Sequence, residues 1–520
     1  MIVAAVDPDR GPAAADPGPA STWRYAVPGL IGTSVLAIGA LGVGWVPLDG
    51  FADIPLVASW RDQGEWVSRA CVILGGAVLL QAWLVIGGDV LSGHLRDLRR
   101  LWTVLALWIA PLLLVPPLFS RDAYSYYAQG KLLLNGVDPY TNGVSSIPGW
   151  AADGVDPIWQ NTPTPYGPLW LALSRGVAAL VGDDPYLAVI AFRLIAVLGV
   201  ALLAVYVPRL AFHHGVDPSK ALWLGVMNPL VLMHFVAGVH NDALMVGLIV
   251  AGLALAVERR VVLGTLLVVL GSMVKPIGLL ALPFVGLIWA GSRSTWGRRW
   301  LTWVKVGAIT LVAYVVLSLV VGVNAGWLRA LTTPGEVRTW LSPPTAIGMA
   351  IGNALDAIGL GNHTDTLVTV SRLIFMIAAV VIVGLLVLRP DGRSPVRGAM
   401  LAFLTVVVFG PVLQPWYLLW VLPLAAASGV RPRELRWVLV GSALFTLYGL
   451  GEPTASADSL LELSDGIALL LAVAAVGLAV SASPRERALL FGEPVDHGLM
   501  PEDAPSRARL EQQVMRGAGT

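Results

Sequence analysis

The chain has 520 residues and a mass of 54.9 kDa; 56% of the residues are hydrophobic, only 13% are charged, and the mean hydropathy is +0.74. That charge is about half of what a soluble globular surface carries, so most of this surface cannot face water and the chain belongs in a lipid bilayer. A net charge of +1 excludes an overall basic field for nucleic acid, and a single cysteine, Cys71, excludes a disulfide framework and a thiolate metal cluster.

Residues 1–26 hold Asp7, Asp9, Asp16 and several prolines but no apolar core of the kind a signal peptide needs, and read as a disordered cytoplasmic tail. A spanning helix takes roughly 20 mostly apolar residues. Such runs lie at about 27–46, 70–88, 101–120, 187–208, 221–237, 240–257, 304–323, 366–388 and 466–482, with a shorter one at 437–451. The runs 261–290 and 399–427 are each interrupted by proline, at Lys275-Pro276 and at Gln414-Pro415-Trp416, so each reads as two short helices meeting at one membrane face. The fold class expected is an all-α, polytopic integral membrane protein of about 13–15 transmembrane helices over residues 27–482, with a cytoplasmic tail at 483–520.

Basic residues gather in alternate connections: Arg96, Arg99 and Arg100, then Arg209 and Lys220, Arg259 and Arg260, Arg298 and Arg299, Arg389, Arg431 and Arg485. Positive charge near helix ends stays on the cytoplasmic side, which places both termini inside and leaves 47–69, 121–186, 324–365 and 452–465 on the outer face. Function is expected there.

The first of the informative outer stretches follows the span 101–120 at once: Arg121-Asp122-Ala123-Tyr124-Ser125-Tyr126-Tyr127. An ionisable residue at the edge of the bilayer is a functional candidate, and the plainer alternative is an interfacial Arg121–Asp122 ion pair in an aromatic belt. Asp138-Pro139 and Asp184-Pro185 read as turn signals. Trp159-Gln160-Asn161-Thr162-Pro163-Thr164-Pro165-Tyr166-Gly167-Pro168 carries three prolines that stiffen an extended backbone and present Trp159, Asn161 and Tyr166, an amide-and-aromatic set suited to a pyranose.

Farther on, His240-Asn241-Asp242 interrupts two apolar runs. Burying these polar groups unpaired costs several kcal/mol, so they are expected to form a network or to cap the helix that follows. Lys275 in lipid needs an anion, either a lipid phosphate or Asp242. With Gln414, Trp416 and Tyr417 at the second proline break, four separated segments are expected to converge on one outward-facing cavity.

Ser120-Arg121-Asp122-Ala123-Tyr124-Ser125-Tyr126, Gly136-Val137-Asp138-Pro139-Tyr140, Thr164-Pro165-Tyr166-Gly167-Pro168-Leu169, His240-Asn241-Asp242-Ala243-Leu244 and Gln414-Pro415-Trp416-Tyr417, in that order, resemble the GT-C glycosyltransferases. More narrowly, the chain is similar to the polyprenol-phosphate-mannose-dependent α-(1→6)-mannosyltransferases of actinobacterial lipomannan and lipoarabinomannan synthesis. The resemblance implies a polyprenyl-phosphate-mannose donor, a lipid-anchored mannan acceptor, membrane lipids as surroundings, and no nucleic acid. It also implies an extracytoplasmic active site on the plasma membrane and Asp122 as the catalytic carboxylate. Donor and acceptor contacts are expected from Arg121, Tyr126, Trp159, Asn161, Tyr166, His240, Asn241, Asp242, Lys275, Gln414, Trp416 and Tyr417. Many GT-C enzymes carry an Asp-X-Asp or Glu-containing motif where this chain has the one acid of Arg121-Asp122, so no cofactor and no metal are expected. The competing readings are an arabinofuranosyl or glucosyl transferase with a related donor, a multi-span transporter or flippase, and a structural membrane subunit.

Overall fold

A computed structural model describes residues 21–47, 53–330, 338–451 and 465–491. Most of the two expected tails, all but the last residue of the expected outer segment 452–465, and parts of the expected outer segments 47–69 and 324–365 lie outside the described residues. Among the described residues the fold is all-helical, and its helices are α1 (Thr22–Val43), α2 (Pro55–Gln63), α3 (Glu65–Leu91), α4 (Leu98–Ile109), α5 (Asp122–Leu134), α6 (Pro168–Val181) and α7 (Pro185–His213). Then come α8 (Pro218–Gly225), α9 (Asp242–Val257), α10 (Val261–Val274), α11 (Leu282–Ala290), α12 (Trp296–Val321), α13 (Trp327–Ala330), α14 (Pro343–Ala357) and α15 (Thr364–Leu388). The series ends with α16 (Pro395–Phe409), α17 (Leu422–Ser428), α18 (Pro432–Gly451), α19 (Asp465–Ser481) and α20 (Pro484–Phe491).

Five of these helices, α1, α3, α7, α12 and α15, are long and apolar enough to cross a membrane alone. The expected 13–15 passes are therefore not thirteen or more long helices. Other apolar helices are 10–17 residues long, and proline starts several of them: Pro168, Pro276, Pro395 and Pro415. The run 101–120 shows why. The helix α4 ends at Ile109, passes through a 3-10 turn at Ala110–Leu112, and reaches Asp122 by a non-helical path through Pro116 and Pro117.

At the other end of the chain, α1 starts at Thr22, before the expected boundary at 27. Ser21 caps it by accepting from the Trp23 N–H, and the Tyr25 hydroxyl donates to Asp89 at 2.9 Å, so the first turn holds although Pro28 follows inside the helix. Asp97 and Asp184 cap α4 and α7 in the same way.

The core is formed by α7, α8, α9, α10 and α17, flanked by the α1/α3 pair on one side and α5/α6 on another. Close packing here depends on small residues. A Cβ on Gly199 of α7 would stand 2.3 Å from the Ala243 carbonyl of α9, so the two backbones touch where that helix begins. By contrast α12 and α15 are 17% and 6% buried over their most apolar windows and turn their side chains outward, as lipid-facing helices do.

Candidate active site

Three interruptions of helix build the site. Lys275 precedes Pro276 and is extended (φ −140°, ψ 121°), and Gln414 precedes Pro415 and is extended as well (φ −114°, ψ 150°). Proline's ring disfavours the helical conformation for the residue before it, so these two breaks follow from sequence. A third has no proline: a π-turn, Val231–Ala237, meets α9 at 114° across Gly238 to Asn241. Here a Cβ on Gly238 would fall 2.7 Å from the His234 carbonyl oxygen and 3.2 Å from that of Leu118, so only glycine lets these strands of chain touch.

Asp122 opens α5, its own N–H donating to Ser120 Oγ at 3.0 Å. One carboxylate oxygen, Oδ2, lies 3.4 Å from His240 Nδ1 and accepts from the Tyr126 hydroxyl at 3.3 Å. That hydroxyl is 3.4 Å from the Asn241 N–H, whose hydrogen bond it accepts. A fifth of the Asp122 side chain is nevertheless exposed (20%), whereas His240 is wholly enclosed. Asp122 stands outside the spanning helices. Burial pushes its carboxyl up, but His240, the positive charge of Lys275 and the Tyr126 hydroxyl outweigh that and hold it below its ordinary range. It is a carboxylate with one face braced and one face open.

Asp242 opens α9 and does not cap it, nor does the Asn241 side chain. Both Asp242 oxygens accept from Lys275 Nζ, at 2.9 and 3.1 Å, and Oδ1 also accepts from Trp420 Nε1 at 2.6 Å. Of the two anions open to Lys275 in the sequence, the protein supplies this one. The ammonium stands 5.2 and 5.3 Å from the rings of Tyr417 and Trp420, which stack at 4.1 Å. Trp416 stacks on His240 at 4.0 Å and 23°, with His234 5.8 Å beyond.

Tyr126 is boxed edge-on by Tyr166 (5.3 Å), Trp170 (4.8 Å) and Phe192 (5.6 Å), and Trp159 lies 6.3 Å from Tyr166. Thus Asp122, Tyr126, Tyr166, Trp159, His240, Asp242, Lys275, Trp416 and Tyr417 form one connected cluster. Gln414 is half-buried beside it, and its carbonyl closes the turn by accepting from the Tyr417 N–H. Asn241 is buried in the cluster with both carboxamide atoms unpartnered.

Two residues stand elsewhere. Asn161 is exposed, and its Oδ1 accepts from Ser145. Arg121 does not pair with Asp122: its guanidinium lies 3.4 Å over the Trp45 ring, donates to the Gly154 carbonyl, and approaches Asp156 at 4.0 Å. Asp156 also caps the short turn Pro157–Trp159, and Asp138 accepts from the Tyr140 N–H as a turn residue does.

Sequence reasoning passed over His234, Trp420 and Arg193. Trp420 could have been found four residues after Trp416, and Arg193 as the one charge in the apolar run 187–208. Nothing marks His234 except its place six residues before His240. Among the described residues no group of three or more His, Cys, Asp or Glu is placed to hold a metal ion.

Two family models match the chain: the N-terminal domain of alpha-(1→6)-mannopyranosyltransferase over residues 26–291, and the MptB C-terminal domain over residues 344–483. A probable alpha-(1→6)-mannopyranosyltransferase of Mycolicibacterium smegmatis is 36% identical over 471 residues, covering 83% of each chain. Alpha-(1→6)-mannopyranosyltransferase A of Mycobacterium tuberculosis is 38% identical over 79% of this chain and 83% of its own. Alpha-(1→6)-mannopyranosyltransferase B of Corynebacterium glutamicum is 30% identical over 80% of this chain and 76% of its own. No solved structure matches.

Proposed function

Because the chain belongs to the alpha-(1→6)-mannopyranosyltransferase family, we propose that it transfers mannose from polyprenyl-phosphate-mannose to the growing α-1,6-mannan of lipomannan and lipoarabinomannan, at the outer face of the plasma membrane. The observation that carries this reading is Asp122: an ionised carboxylate with one oxygen held by Tyr126 and close to His240, and a fifth of its side chain open to an incoming group.

In a β-linked lipid-phosphate sugar the leaving group is already a phosphate ester. What the protein must add is a base for the acceptor hydroxyl and a positive charge for the departing phosphate. The acceptor's 6-hydroxyl attacks the anomeric carbon as its proton passes to Asp122, the bond from that carbon to the phosphate oxygen breaks, and polyprenyl phosphate leaves. Direct attack turns a β donor into an α product, so one carboxylate suffices and no covalent enzyme intermediate forms. Lys275, which is 17% exposed and has an N–H left after its two bonds to Asp242, is the cation of the cluster that faces the phosphate. The rings of Trp416, Tyr417 and Trp159 offer stacking faces for the sugars. Arg121, turned toward Trp45, serves the loop and not the leaving group.

The test uses purified protein in detergent with polyprenyl-phosphate-mannose and a short α-1,6-mannoside, product mass and linkage being read out. Asp122→Asn keeps the volume and removes the base, so the rate is expected to fall by about 10²- to 10⁴-fold in a protein that melts as the wild type does. Full activity in that variant would remove the base from the scheme, and normal activity in Lys275→Ala would remove the phosphate site.

A further inference from the structure

Arg193 is fully buried in α7, and among the described residues it makes no ion pair with a carboxylate. Such a charge is costly in a membrane helix unless something answers it. Here the answer is two helix ends. Arg193 Nε donates to the Val236 carbonyl of the π-turn at 3.0 Å, and Nη1 donates to the Leu113 carbonyl, just past the Ala110–Leu112 turn, also at 3.0 Å. Val236 is the next-to-last residue of its segment and Leu113 the first residue past its own, at ends where backbone carbonyls run out of helical N–H partners.

These two carbonyls begin the two stretches of chain that deliver the reactive contact. From Leu113 the chain runs through Leu118, whose N–H donates to Ala237 at 3.1 Å, and through Phe119 to Asp122. From Val236 it runs through Val239 to His240. Phe119 has φ +65° and Val239 has φ +56°, left-handed values that an aromatic and a β-branched residue adopt only when the surroundings impose them. Both strained residues lie within three positions of the group they deliver, and both strands are gripped by the same guanidinium.

We propose that Arg193 is a positioning residue for the transfer: one planar fork that fixes the spacing between the Asp122 strand and the His240 strand. Lysine is a poor replacement, because its donors all leave one nitrogen, whereas Arg193 reaches the two carbonyls from two separate nitrogens held in one plane, Nε and Nη1. The inference rests on the reading of Asp122 as base. The groups facing Asp122 are His240 from the turn before α9, Tyr126 from α5, Tyr166 from the segment before α6, Tyr417 from the turn after Gln414, and Lys275, itself paired with Asp242, from the end of α10.

The experiment compares wild type, Arg193→Lys, His240→Gln and the double variant in the detergent assay across pH, alongside melting temperatures. In Arg193→Lys the expected result is a kcat lower by about 10- to 100-fold with both KM values within about twofold, since misplacing a base acts on the chemical step. The acid limb of the rate profile is expected to move to higher pH. Added to His240→Gln, the Arg193→Lys change is expected to cost little more, because both act on one contact. A wild-type kcat and acid limb in Arg193→Lys, or a loss that multiplies fully with that of His240→Gln, overturns the proposal. A wild type that makes no mannoside counts against the transfer reading alone. The inference then stands or falls on the melting temperatures, where shifts short of additivity sustain it and fully additive shifts overturn it.

Discussion

Two carboxylates begin helices in this site, and their surroundings assign them different work. Asp242 is enclosed, with both oxygens on Lys275 and one also on Trp420, so it holds structure together. Removing one partner of such a buried pair leaves the other charge uncompensated. Lys275→Met is therefore expected to cost about 3–5 kcal/mol, and Asp242→Asn combined with it to recover much of that; chemical or thermal unfolding of the three variants in detergent checks this. Asp122 is braced on one side only. Its carboxyl is held below the usual range, so the proposed transfer and its share of stability are expected to be full at neutral pH and to be lost as pH falls through the folded-state value. Replacing His240 with Gln removes one lowering influence, and the acid limb of the rate profile is expected to shift upward. An unmoved limb shows that Asp122 is not the group being titrated.

Much of this was legible one residue at a time. A lone acid after a span, a His-Asn-Asp triplet between apolar runs and a lysine before proline each break the hydrophobic pattern. What the sequence does not carry is direction. Arg121 and Asp122 are neighbours, yet the first turns to Trp45 and the second to His240, because Arg121 precedes α5 with a non-helical backbone (φ −105°, ψ 8°) and Asp122 is the first residue of the helix.

At the scale of elements, the site is made by places where helices stop. The proline breaks at Pro276 and Pro415 could be read in advance because proline removes an N–H and displaces the residue before it. The π-turn at Val231–Ala237 could not, since nothing in Val-Leu-Met-His-Phe-Val-Ala marks it, and the partners of its last carbonyls, Arg193 on Val236 and Leu118 on Ala237, come from distant parts of the chain. The start of α9, which carries Asp242, depends on its fit against α7. Gly199→Ala places a methyl group 2.3 Å from the Ala243 backbone, and the helices must part to take it. An overpacking cost of about 1–3 kcal/mol is expected, together with lower transfer activity, read as a fall in melting temperature and in rate. A variant as stable and active as wild type shows that the contact yields freely.

For the whole molecule, composition decided the class, and the helical membrane fold agrees with it. The number of passes was less legible, because hydropathy does not distinguish one long helix from two short ones joined by a turn. The proposed sidedness rests on the distribution of positive charge and is tested by labelling. In a Cys71→Ser background, a single cysteine at the exposed Asn161 is expected to react with a membrane-impermeant maleimide on intact cells, and one at Arg298 only after lysis. The reverse pattern inverts the topology and puts Asp122 on the cytoplasmic side.

The 2.6 Å bond from Trp420 to Asp242 joins residues that belong to different family regions, 26–291 and 344–483. Asp122, His240 and Lys275 come from the first, and Trp416, Tyr417 and Trp420 from the second, so neither region carries a whole site. Each region therefore depends on the other for a part of the cluster. A chimaera that takes one region from this chain and the other from a relative is expected to transfer more slowly than either parent, read in the same detergent assay.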